Sequence, residues 1–266
     1  MRRGQLSFVP RAVLRGVFIG LMTSCGSTSE VTTEHAVAEP VLAAHGPHAS
    51  EAPVHMEHGI QFVDAARSIG PSIVSFSAPE PRVLGSGVVL DSHGHILTNN
   101  HILAGADSAR VRFQDGREAV ASVVGSDPKA DLALVRVAPN AGELRPATLG
   151  DSDRLEIGEW VLSVGSPPGS RISVSVGVVS AIGRGSVGLP DHADLIHTDA
   201  NINAGNSGGP LVDRKGRVVG INTAPAAHGG AGQSDLGFAI PINMAKQVAA
   251  ELIAKASHRR GDVSVD

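Results

Sequence analysis

From residue 72 to residue 242 the chain is a succession of short runs rich in Val, Ile and Leu, cut by tight-turn sequences. The first set comprises SIVSFSA (72–78), GSGVVLD (85–91), HILTN (95–99), ARVRF (109–113), EAVASVVG (118–125) and DLALVRVA (131–138). A second set comprises EWVLSVG (159–165), RISVSVGVVSAI (171–182), DLIHTDA (194–200), GPLVDRKGRVVGINTA (209–224) and DLGFAIPI (235–242). DSHGH, QDGR and DRKGR supply turns between them. Strand-length runs at short intervals, with turn chemistry between them, restrict the chain to an all-β sandwich or a pair of barrels. Only two helical segments frame the strands. GIQFVDAARSIG (59–70) carries Phe62, Val63, Ala66 and Ile69 on one predicted face, and PINMAKQVAAELIAKAS (241–257) reads as an amphipathic helix with Pro241 near its start.

Composition says what fills such a fold. Of 266 residues 42% are hydrophobic, yet there are six Phe, one Trp and no Tyr, so the core is built from small aliphatic side chains. The net charge is −4, and no basic cluster lies outside the first fifteen residues. Nucleic-acid binding needs a concentrated cationic face and is excluded as a function class.

Arg2, Arg3, Arg11 and Arg15 precede the mostly apolar run GVFIGLMTS (16–24), which ends at the single cysteine, Cys25. A spanning helix needs about 20 apolar residues, so residues 1–24 read as a signal peptide. LMTSC resembles the bacterial lipobox, which implies a lipid-modified Cys25 and membrane attachment, with Gly26 in the next position favouring the outer membrane. Two other readings stay open: Cys25 as an ordinary small residue near a cleavage site, and the run as an uncleaved anchor. Residues 25–58, rich in Ala, Pro, Glu and His without an apolar period, read as a flexible tether.

One stretch, NAGNSGGPLV (203–212), raises the question of chemistry. A serine hydroxyl becomes nucleophilic only with a base to take its proton, a carboxylate to orient the base, and N–H groups to receive an oxyanion. Gly205, Gly208 and Gly209 around Ser207 give the backbone that freedom. If the loop bends so that the N–H groups of Gly205 and Ser207 converge, with Asn206 between them, an oxyanion hole results. His101, after the strand-like HILTN, is a candidate base. Asp131, at the entrance of an apolar run, is a costly charge without a partner, and an imidazole N–H suits it. Each residue alone reads equally well as a turn serine, a surface histidine or a strand-end aspartate. Together, in the order His, Asp, Ser, they follow the order of the chymotrypsin-type proteases.

The runs GSGVVLDSHGHILTNNHIL, DPKADLALVRV, VGSPPGSRISVSVGVVSAIGR, HTDANINAGNSGGPLVDRKGRVVGINT and LGFAIPINM, spread in order over residues 85–244, resemble the HtrA/Deg family of serine proteases. The resemblance implies a chymotrypsin/trypsin-like double β-barrel over residues 59–258, with barrels at about 59–145 and 146–240, the helix 241–257, and a tail at 259–266 without the PDZ domain common in the family. It implies His101 as general base, Asp131 as its orienter, Ser207 as nucleophile and the Gly205–Ser207 backbone as oxyanion hole. It further implies cleavage of unfolded or damaged polypeptide in the bacterial envelope without metal or other cofactor, and a possible homotrimer.

Asn206 stands where secreted digestive relatives carry the Asp that pairs with a newly cut N-terminus. An uncharged amide offers no such partner, so ordering of loops 165–172, 184–194 and 225–234 is the expected control. Asn201 near the specificity pocket argues against Arg or Lys preference. Ile202, Asn222, Thr223, Ala224, Leu236, Gly237 and Phe238 are expected to form a small apolar pocket suited to Val, Ala or Ile. Ala204 replaces the family's usual Pro, and His197 a common Gln. His93, His95 and His101 are read as turn and base residues, not as a metal site, which needs a fuller ligand set. Two other functions remain in view: a regulatory protease making one specific cut, and a protease-fold binding or chaperone module. Radiolabelled palmitate is expected to enter the protein and not its Cys25→Ala variant; equal labelling, or none, would reject lipidation.

Overall fold

The computed structural model describes residues 54–77, 84–166, 172–184, 194–224 and 236–261. Cys25, the signal-like run and most of the tether lie outside the described residues, as do most of the three loops singled out above. Helix α1 spans Val54–Ile69 and so begins inside the stretch read as tether. Its inward face is also shifted. Ala65 and Ile69 are buried, whereas Val63, expected to face inward, stands in solvent.

Two closed six-stranded antiparallel barrels follow. The first contains β1 (Ile73–Ser77), β2 (Leu84–Val89), β3 (His95–Thr98), β4 (Ser108–Phe113), β5 (Glu118–Asp127) and β6 (Leu132–Val137). The second contains β7 (Trp160–Gly165), β8 (Ser173–Arg184), β9 (Asp194–Thr198), β10 (Pro210–Asp213), β11 (Val218–Thr223) and β12 (Gly237–Pro241). Around the barrels the orders are β1-β2-β3-β6-β5-β4 and β7-β8-β9-β12-β11-β10. The second is the first shifted by six strands, a duplication of topology with no matching sequence repeat. A one-turn helix, α2 (Asn100–Leu103), follows β3. The last helix, α3, spans Ile242–Gly261, past the predicted end at 257 and into the stretch read as tail.

The period of two along each strand decides what is buried where. On β6, Ala133, Val135 and Val137 fill the first barrel, while Leu132 and Leu134 face outward into the largest cluster. On β7, Val161 fills the second barrel, while Leu162 and Val164 face outward into that same large cluster. That cluster also gathers Ile69 of α1 and Ala245, Ala249 and Leu252 of α3. Both faces of these strands are therefore dry, which is why DLALVRV reads as a continuous apolar run. The seam between barrels is a rigid wall, and the loops carrying the candidate residues open along it.

Candidate active site

Asp131 follows the turn that ends β5 and has a left-handed backbone, φ 51°, unusual for a residue with a side chain. The bend presents two acceptors to one target. Its carbonyl accepts from the Asn100 N–H (3.1 Å) and from Asn99 Nδ2 (3.0 Å). Its carboxylate accepts from the His101 N–H (3.1 Å) and lies 2.8 Å from His101 Nδ1. His101, just after β3, lies in the first turn of α2, clamped to Asp131 by backbone and ring. A carboxylate needs a donor, so the proton sits on Nδ1 and the free Nε2 of a neutral ring is an acceptor.

From the second barrel, Thr223 at the end of β11 donates its hydroxyl to Asp131 Oδ2 (3.0 Å). The next residue, Ala224, donates its N–H to Ser207 Oγ (3.0 Å). Two consecutive residues therefore tie the carboxylate to the serine across the seam. Burial is the largest single influence on the Asp131 carboxyl and opposes its ionisation. The His101 hydrogen bond and charge, the His101 N–H and the Thr223 hydroxyl together outweigh it, and the carboxyl is held below its usual range.

Ser207 is 0% exposed, and its surroundings differ from the sequence expectation. Its hydroxyl donates to the Asn203 carbonyl (3.1 Å), and among the described residues no hydrogen bond joins it to His101. The N–H groups of Ser207 (3.0 Å) and Asn206 (3.2 Å) also donate to the Asn203 carbonyl, and the Gly205 N–H donates to Asn203 Oδ1 (2.9 Å). The Asn203 N–H in turn donates to Asn206 Oδ1 (2.7 Å). Asn203 thus caps the turn through the Gly205 N–H, and Asn206, three residues later, reaches back to the Asn203 N–H. The expected convergence of the Gly205 and Ser207 N–H groups is absent here. The loop is one capped helical turn, and Asn203 holds all three donors.

The remainder of the loop is fixed. Gly208 has φ 79° and donates its N–H to the Asn222 carbonyl (2.8 Å); a side chain there would collide with the Ser86 carbonyl and the Thr98 hydroxyl. Asn222 was expected in the substrate pocket, but it is 0% exposed and its amide donates to the Pro210 carbonyl (3.0 Å). Asn222 is a prop beneath the loop because a buried amide must be spent on backbone acceptors. Thr223 and Ala224 likewise serve Asp131 and Ser207 with the groups just described. Phe238, also expected in the pocket, is buried with its ring edge-on to His197, centroids 4.8 Å apart. Ile202 is half-buried against Gly237, where an added Cβ would lie 2.8 Å from Ile202 Cγ1, and Leu236 is exposed at the rim.

Sequence reading missed Asn99, Ser163 and Ser86. Ser163 Oγ accepts from Asn206 Nδ2 (3.1 Å), which turns the Asn206 side chain inward. The available signal was a polar residue inside an otherwise apolar run. His93 and His95 do not join His101. Both N–H groups donate to Asp91 Oδ1 (2.9 and 3.1 Å), and His95 Nδ1 lies 2.7 Å from Asp91 Oδ2.

The lowered Asp131 carboxyl carries a pH prediction. A depressed folded-state value contributes stability that is present above the unfolded value, near 4, and is lost as pH falls through the folded value. Asp131→Asn is therefore expected to be less stable than the parent at neutral pH, with the two urea-unfolding midpoints converging in acid. A constant gap down to acid pH would contradict the account.

Comparison with known proteins places the chain in a family. Residues 85–221 match the trypsin-like peptidase domain family. The chain is 42% identical over 197 residues to a probable periplasmic serine endoprotease, DegP-like, of Chlamydia trachomatis, covering 73% of this chain and 39% of that protein. It is 43% identical over 179 residues to the periplasmic pH-dependent serine endoprotease DegQ of Escherichia coli, covering 67% of this chain and 39% of that one. The chain thus spans about two fifths of the length of these relatives. Among solved structures, the HtrA-type protease AlgW with tripeptide superposes with a TM-score of 0.64 at 40% identity, over 72% of this chain and 63% of that one. This chain belongs to the trypsin-like serine peptidases, in their HtrA/Deg branch.

Proposed function

We propose that the chain is a serine endopeptidase of the bacterial cell envelope that cleaves unfolded or damaged polypeptide, with Ser207 as nucleophile, His101 as general base and Asp131 as its orienter. The observation that carries the reading is the tie across the seam, in which Asp131 holds His101 while Thr223 and Ala224 bring the same edge to Asp131 and Ser207. In the reaction Ser207 Oγ attacks the scissile carbonyl and its proton passes to His101 Nε2. Asp131, kept ionised, stabilises the imidazolium. That proton goes to the departing amine, and water, activated by the same ring, then releases the acyl group.

The carbonyl oxygen needs the N–H groups of Gly205 and Ser207, which Asn203 holds in the present turn. We read this turn as the resting state. A helix cap contributes about 1 kcal/mol, whereas an oxyanion donor is worth about 3 kcal/mol in the transition state. A well-seated substrate, or loops settling around it, can therefore displace Asn203. Asn206 supports control by loop ordering because its amide is engaged with Ser163, Asn201 and Asn203, with no role for a cut N-terminus. Ile202 against Gly237 supports a shallow pocket suited to Val, Ala or Ile. The periplasmic relatives support an envelope location, and attachment through Cys25 belongs to the same reading. A homotrimer does as well: Trp160, 44% exposed, and its neighbouring strand residues Val174 and Val176 form apolar outer surface that such an assembly would cover.

Casein digestion by the mature chain tests the reading. Ser207→Ala is expected to abolish turnover, a fall on the order of a millionfold, with wild-type cuts following Val, Ala or Ile. Unchanged turnover in Ser207→Ala would refute the assignment, and cuts dominated by Lys or Arg would refute the pocket.

A further inference from the structure

We infer that Ser86, on β2 of the first barrel, is a positioning residue for the oxyanion donors, and that it is the last link of a hydrogen-bond relay that begins at the β4–β5 hairpin. This rests on the reading of Ser207 as nucleophile. Ser86 is 0% exposed and meets the catalytic loop twice. Its N–H donates to the Ser207 carbonyl (2.8 Å), and its hydroxyl donates to the Gly205 carbonyl (2.9 Å). The two bonds clamp the Gly205–Asn206 and Ser207–Gly208 peptides from the opposite barrel.

The same hydroxyl is also an acceptor. The Ser166 N–H, just past the end of β7, donates to Ser86 Oγ (2.8 Å), and Ser166 Oγ accepts from Gln114 Nε2 (2.8 Å). Gln114 follows β4, in the hairpin, and its amide reaches back to the Ile73 carbonyl (3.4 Å). Every donor in the series Gln114, Ser166, Ser86 points towards Gly205. Aligned bonds polarise one another, so a donor into Ser86 Oγ strengthens the O–H that holds Gly205.

The consequence concerns which bond can turn. With its carbonyl pinned by Ser86, Gly205 cannot swing as a whole. Release of the Gly205 N–H from Asn203 then comes from the segment before the pin, by withdrawal of the Asn203 side chain or rotation of the Ala204–Gly205 peptide. The freed N–H then arrives at one defined place beside the Ser207 N–H. Without the pin, a glycine has wide freedom and the donors need not converge. Misplacement by about 1 Å can cost up to a hundredfold in rate. The loss falls on the chemical step, because the hydroxyl of Ser86 is buried and points at the loop.

The test compares wild type, Ser86→Ala, Gln114→Ala and the double variant on a peptide substrate, alongside their rates of labelling by a fluorophosphonate. Ser86→Ala is expected to lower kcat and the labelling rate at least about tenfold, with KM changed little. Gln114→Ala should cause a smaller fall of the same kind, and the double variant should be no worse than Ser86→Ala, because Gln114 acts through Ser86. If Ser86→Ala does not fold, Ser166→Ala replaces it: it removes the acceptor for Gln114 and should match Gln114→Ala, with no further loss when the two are combined. A wild type that labels normally while kcat stays unchanged in Ser86→Ala, or while the effects of Gln114→Ala and Ser86→Ala multiply independently, overturns the relay and leaves the nucleophile in place. A wild type that never labels overturns the nucleophile and this inference with it.

Discussion

A carboxylate withdrawn from water has to be surrounded by donors, and the way Asp131 meets that demand organises the molecule. Its acceptors are served from β3 and α2 on one side, through Asn99, Asn100 and His101, and from β11 on the other, through Thr223. The first barrel serves both carboxylate oxygens through the His101 N–H and Nδ1, and the second adds the Thr223 hydroxyl on Oδ2. Ionisation of Asp131 and docking of the barrels are thus coupled. The left-handed backbone at Asp131 is the local cost, since it lets the carbonyl and carboxylate of one residue serve the same short helix.

Around this fixed pair the serine loop is a balance of competing acceptors. Asn203 offers a carbonyl and an amide oxygen, and the donors that a tetrahedral intermediate needs are held by both. A turn of this kind is comfortable at rest and inadequate for catalysis. Its C-terminal part is tied to Asn222 and to β2, so that only the Asn203–Gly205 segment has another conformation to adopt. In the proposed mechanism the chemistry is therefore split between the half that holds His101 and Ser207 and a short segment, Asn203–Gly205, that holds the oxyanion donors.

Much of this was legible in the chain. The strands announce themselves because barrel walls need β-branched residues, and the runs with both faces buried stand out as unbroken apolar stretches. His101, Asp131 and Ser207 are visible as polar residues at the ends of such runs. The doubled topology was invisible because the barrels share a strand order and not residues. The props were missed for another reason. Ser86 meets Gly205 across 119 positions of sequence, and no local pattern pairs them. Asn222 to Ala224 were read as pocket wall, but the Asn222 amide is spent on the Pro210 carbonyl, the Thr223 hydroxyl on the Asp131 carboxylate and the Ala224 N–H on Ser207 Oγ. The closed turn could have been read from Asn203 and Asn206, three apart, by asking where the Gly205 N–H goes before substrate arrives.

The central claim is that the short segment Asn203–Gly205 stands between the resting turn and a working oxyanion hole. A crystal structure of the Ser207 adduct with a peptidyl phosphonate tests it most directly. The account predicts the phosphonyl oxygen within hydrogen-bond reach of the Gly205 and Ser207 N–H groups, Asn203 withdrawn from both, and the Gly205 carbonyl unmoved. An adduct in which Asn203 still holds those donors, or in which phosphorus is bonded to another side chain, would contradict it.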